Sequence, residues 1–148
     1  MSNETDPRNE KPTDAEIVRV LAERVMGWEI ISFTQWVKRT RRPDYDLSGM
    51  CVEHDDGTFT APTDHKGNCQ NYFRPTESWA DAGMLLDRLR AMGKVFILKA
   101  DGLRDGTHNP GYTALCDNMP RCDAESGPRA ISLAAYEWAM SQEKQNAD

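Results

Sequence analysis

The chain has 148 residues, 39% of them hydrophobic, and a formal net charge of -6. That length supplies one sizeable core and leaves little for a second domain, while the acidic balance opposes nonspecific attraction to nucleic acid or anionic membrane. No apolar run approaches the roughly 18 residues that a membrane span requires, and the start lacks the charged-then-apolar pattern of a secretory signal, so a soluble, cytosolic protein is expected. In that setting Cys51, Cys69, Cys116 and Cys122 read as reduced thiols or ligands rather than a disulfide framework.

Residues 1–12 carry no aliphatic side chain after Met1 and are rich in charge, Asn and Pro, which reads as a tail. Thr13-Asp-Ala-Glu16 fits a capping box and predicts a helix from Asp14 to about Met26. Ile17, Leu21, Val25 and Trp28 give it an apolar stripe, and Gly27 stands where such a helix stops. The stretch from Trp28 to Val37 suits either a strand or a short helix, because its β-branched and aromatic residues also match a helical face. Lys38-Arg-Thr-Arg-Arg42 follows, ended by Pro43.

Tyr45, Leu47 and Cys51 alternate with polar positions, Asp55-Asp-Gly57 signals a hairpin, and Thr58-Phe-Thr60 supplies its return strand. Pro62 to Gln70 reads as a loop before Tyr72 and Phe73. Thr76 or Ser78 caps a second helix with Ala82, Leu85, Leu86, Leu89 and Met92 as its buried stripe and Gly93 as its stop. Val95-Phe-Ile-Leu98 is apolar throughout, which predicts a strand covered on both faces. A turn-rich stretch from Asp101 to Gly111 leads to the returning strand Tyr112–Cys116, and Ser126-Gly-Pro128 opens the last helix, with Ile131, Ala134, Ala135 and Trp138 on one face. Beyond Met140 the polar residues read as a second tail, 141–148.

These elements describe a single α/β (α+β) domain over residues 13–140, three helices packed on a small, mainly antiparallel sheet. Val25-Met-Gly-Trp28 and Pro75-Thr-Glu-Ser-Trp79, with the final Gly-Pro-Arg-Ala-Ile-Ser-Leu-Ala-Ala135, resemble the phage ABA sandwich domain family across about residues 15–28 and 72–139. The resemblance implies helices packed on a sheet, a bacteriophage or prophage origin, and no catalytic residues to carry across. Residues 29–70 depart from the family pattern as a longer, variable insertion.

Two constellations in that insertion carry chemistry. Cys51-x2-His54 and, after ten intervening residues, His65-x3-Cys69 have the ligand types and pair spacings of a tetrahedral zinc site. Neither pair is the stronger Cys-x2-Cys knuckle, and a solvated His54 beside Glu53, Asp55 and Asp56 is the plainer reading. The expectation is no cofactor, with a structural zinc held by Cys51, His54, His65 and Cys69 as the alternative. Lys38, Arg39, Arg41 and Arg42, flanked by Trp36 and Tyr45, combine cations with stacking surfaces, which suits phosphate binding, a solvated face, or an acidic protein partner. His108 reads as a loop histidine, and Cys116 and Cys122 as idle thiols.

No nucleophile elbow, phosphate-binding loop or deaminase signature is present in the sequence. Together with the family resemblance, this leads to the expectation of a non-enzymatic phage accessory protein that binds a host protein or protein complex, such as an inhibitor of an antiviral defence system. The alternative is a nucleotide or nucleic-acid binder using the basic run. A metal-dependent hydrolase built on His54 or His65 has the least support.

Overall fold

The computed structural model describes residues 12–41, 49–62, 72–101 and 111–146. Helix α1 (Asp14–Val20) continues into a π-helical turn, Leu21–Val25, closed by the Met26 amide donating to the Leu21 carbonyl at 2.9 Å. Thr13 caps it as expected, its hydroxyl accepting from the Glu16 amide at 3.2 Å. Gly27 then turns the chain with φ +74°, a conformation that costs a Cβ-bearing residue more than glycine.

The ambiguous stretch after Trp28 holds both of its alternatives in succession. Strand β1 (Glu29–Ser32) runs directly into α2 (Phe33–Thr40). Ser32 decides the boundary: its hydroxyl accepts from the Gln35 amide at 3.1 Å while the Gln35 side chain accepts from the Ser32 amide at 3.3 Å. This reciprocal box satisfies amides that a helix start otherwise leaves open.

Strand β2 (Met50–Glu53) lies parallel to β1 and antiparallel to β3 (Phe59–Thr60), and the bend at Asp55-Asp56-Gly57 joins β2 to β3 as predicted. An isolated antiparallel bridge from Thr60 to Tyr72 adds the next segment to this sheet. Helix α3 (Trp79–Ala91), capped by Ser78, leads to a second, fully antiparallel sheet of β4 (Phe96–Asp101), β5 (Gly111–Cys116) and β6 (Cys122–Ala124). Helix α4 (Gly127–Asn146) closes the fold and extends past Met140. The described residues thus form four helices and two three-stranded sheets, a mixed α/β arrangement as expected, with one more helix and with two small sheets in place of one.

The main core gathers Ile17, Leu21 and Val25, Cys51 and Phe59, Leu85 and Leu89, Cys116, and Ile131 and Trp138. Leu85, Leu89 and Ile131 are at most 1% exposed and Trp138 is 7% exposed. Each such aliphatic side chain contributes roughly 1.5–3 kcal/mol by burial. Arg88 fastens α3 to the end of the π turn, its Nε donating to the Val25 carbonyl at 3.0 Å.

Two expectations need correction. Strand β4 is covered on one face only: Phe96 and Leu98 pack inward, whereas Val95 and Ile97 are 63% and 52% exposed. An apolar run does not reveal how many layers cover it, and α4 covers the inner face alone. Met92 is also exposed, because it stands at the C-cap of α3 rather than on its buried stripe. Among the described residues no helix is long and apolar enough to cross a membrane.

Candidate functional site

The alternation of side chains along β2 decides where each residue of the insertion can act. Cys51 and its register partner Ile30 face the main core, where Cys51 is fully buried. Glu53, on the same face, pairs with Arg19 of α1. Val52 and Ile31 face the other way and form a small second core with Met50, covered by Trp36 of α2. His54 continues on this second face, where its Nε2 meets the Thr60 hydroxyl at 2.6 Å.

Cys51 and His54 therefore do not share a face of the strand. The spacing of two intervening residues suits a turn knuckle, but an extended strand sends positions i and i+3 to opposite sides. His65 and Cys69 lie outside the described residues, and among those described no group of three or more His, Cys, Asp or Glu side chains converges as a metal site would require.

The basic run is divided by the same geometry. Arg39 is half-buried and folds back on the sheet, with Nη1 donating to Glu29 Oε2 at 3.4 Å and lying 3.1 Å from Met50 Sδ. Lys38 and Arg41 are exposed, while Arg42 and Tyr45 lie outside the described residues. Trp36 packs inward on Ile31, Met50 and Val52 instead of flanking the cations as an open stacking surface.

A feature that the sequence reading missed lies on the second face of the first sheet. Phe33, 48% exposed, stacks on Trp36 with centroids 5.9 Å apart and lies 5.6 Å from the His54 ring. His54 in turn sits 6.4 Å from Tyr72, itself 53% exposed, and the Arg74 guanidinium lies 5.5 Å from the Tyr72 centroid. Phe33, His54, Tyr72 and Arg74 thus form a continuous strip across the sheet. Two signals prefigure it: the Ser32-x-x-Gln35 box places Phe33 at the first turn of a helix, and Phe73, buried at 1% exposure, forces its neighbours Tyr72 and Arg74 outward.

Beside the strip, a cavity of about 350 Å³ opens where the parallel strands β1 and β2 end, lined by Ile31, Ser32, Glu53, His54 and Asp55 among others. The adjoining bend is acidic. Asp56 accepts from both the hydroxyl and the amide of Thr58, at 2.6 and 3.0 Å, and these bonds hold its pKa below the usual carboxylate value. Among the described residues no carboxylate hydrogen-bonds the His54 ring, and the Thr60 hydroxyl it meets belongs to a residue only 5% exposed. The arrangement presents aromatic faces, a guanidinium and flanking carboxylates.

No protein-family model, curated protein or solved structure matches the chain.

Proposed function

We propose that the chain is a non-enzymatic bacteriophage accessory protein that grips a protein of the host cell through the Phe33–His54–Tyr72–Arg74 strip, and that the target belongs to an antiviral defence system. The phage setting rests on the family resemblance of the segments around Gly27 and Trp79. The protein-binding reading rests on one observation: two half-exposed aromatic rings, a histidine and a ring-stacked guanidinium in line across one sheet face. Aromatic residues and arginine are the types that dominate the energetics of protein interfaces. Glu53 and Asp55 in the adjoining cavity disfavour a phosphate there and suit a partner with complementary cations.

The test is a pull-down from host lysate with tagged wild-type chain and a Phe33→Ala/Tyr72→Ala variant. A bound protein that falls by about tenfold or more in the variant supports the proposal. Equal recovery with both, at matched melting temperature, overturns it.

The second reading, nucleotide or nucleic-acid binding through the run from Lys38 to Arg42, is favoured by the exposure of Lys38 on the helix that also presents Phe33 and of Arg41 at its C-cap. Its mark is an affinity for single-stranded oligonucleotide that falls steeply with salt and is lost in Lys38→Ala/Arg41→Ala. Salt-insensitive retention of a protein partner in that variant separates the two.

A further inference from the structure

A second groove, sharing no residue with the aromatic strip, runs between α4 and the edge of the second sheet and encloses about 580 Å³. All three residues of β6, Cys122, Asp123 and Ala124, line it. Successive strand residues point to opposite faces, so three in a row reach one cavity only along the strand's edge. Among the described residues β6 pairs with β5 alone, and the groove borders a strand edge that none of them pairs.

The opposite wall belongs to α4. Leu133 and Tyr136, half-buried against the main core, give the groove an apolar floor. Pro12 and Ile17 complete the wall beside α1, and the charged lining is mainly acidic: Asp123, Glu125 and Glu137 are exposed, Asp123 lies 3.9 Å from Arg121 and accepts from the Thr113 hydroxyl at 2.7 Å, and the one cation among the lining residues, Arg129, is held by Asp14 of α1 at 3.0 Å. The Cys122 thiol registers this environment. Burial pushes it up to about 11, with Glu137 and Asp123 adding to the rise.

We propose that this groove receives an extended, lysine- or arginine-rich segment of a partner protein, laid along β6 as a fourth strand of the second sheet. An open edge offers backbone hydrogen bonds, alternate side chains of the added strand fall on one face, and that face meets Leu133 and Tyr136. β6 is only three residues long, so backbone pairing alone gives little affinity. The carboxylates of Asp123, Glu125 and Glu137 select a cationic strand and reject an acidic one through like-charge repulsion. This inference stands independently of the aromatic strip.

The test titrates the full chain with a fluorescent peptide alternating lysine and valine, against a counterpart alternating glutamate and valine. Binding of the lysine peptide is expected, weakened about tenfold or more by Asp123→Asn/Glu125→Gln/Glu137→Gln. N-methylation of alternate peptide amides, which removes donors without altering charge, should weaken it further. Bound peptide should also slow alkylation of Cys122, read by peptide mapping. Absence of binding, equal binding of the glutamate peptide, indifference to the triple variant or to N-methylation, or unchanged Cys122 labelling overturns the proposal.

Discussion

The indole of Trp79, at the start of α3, occupies the place where a side chain at Gly127, at the start of α4, would begin. A Cβ built on Gly127 falls 2.0 Å from the far edge of the ring. The same indole meets Tyr112 of β5 edge-on, with centroids 5.6 Å apart, so one side chain joins two helix starts to a strand. Trp79 is 54% exposed, which leaves it room to swing outward. Gly127→Ala is therefore expected to expel the indole without unfolding the chain, at a cost of about 1–3 kcal/mol. Tryptophan fluorescence should shift to the red, and in a Trp79→Ala background the same substitution should cost less. Equal costs in both backgrounds would show that the ring and the glycine are not coupled.

The basic run divides into a structural and an exposed part. Arg39→Ala removes the contacts with Glu29 and Met50 and uncovers part of the sheet beneath its stem, which should destabilise the chain by about 0.5–1 kcal/mol. Lys38→Ala and Arg41→Ala touch exposed side chains and should stay within about 0.5 kcal/mol of wild type. Urea titrations of the three variants check the ordering, and a stability loss at Lys38 or Arg41 matching that at Arg39 would contradict it.

Alkaline pH provides a separate probe of the core. Burial pushes the Cys116 thiol from about 9 to about 11, with Asp117 adding to the rise and Lys94 opposing it. Because the folded value lies above the unfolded one, the contribution of this thiol is complete below the unfolded pKa and is lost as pH rises from about 9 through 11. Two units correspond to about 2–3 kcal/mol at the upper end. Cys122 moves in the same direction but is partly exposed, so its share is smaller. Cys116→Ala should lower stability at neutral pH by leaving a small void, yet lose less on going to high pH than wild type does. Parallel stability curves for the two proteins across that window would contradict the assignment.

Local chemistry made much of the fold legible. Thr13 and Ser78 cap their helices, Gly27 and Gly93 end theirs in the left-handed region, and the buried stripes of α3 and α4 follow helical periodicity. Strand β6 escaped because Cys122-Asp123-Ala124 is short and carries no β-branched residue, so only its register with Tyr112, Thr113 and Ala114 defines it. The aromatic strip escaped for a different reason. Phe33, His54 and Tyr72 sit in separate segments and meet only because β1 pairs with β2, β2 with β3, and Thr60 with Tyr72. Proximity in sequence instead drew attention to Lys38–Arg42 and to Cys51 with His54, where helix packing and strand alternation send neighbouring side chains in different directions.

Ser132 offers a substitution expected to improve the protein. It is fully buried in α4, and among the described residues its hydroxyl finds no hydrogen-bond partner. Burying an unpaired hydroxyl costs about 1–3 kcal/mol, and serine is also a poorer helix former than alanine because its side chain competes for backbone hydrogen bonds. Ser132→Ala removes the polar atom and leaves a vacancy no larger than one oxygen. The loss of dispersion contacts offsets part of the gain, so the expected stabilisation is about 0.5–1.5 kcal/mol, or a few degrees in melting temperature. Ser132 itself lines neither the strip nor the groove beside β6, so partner binding should be unchanged. A destabilised Ser132→Ala variant would mean that the hydroxyl is satisfied in solution, by a water or by a rotated side chain.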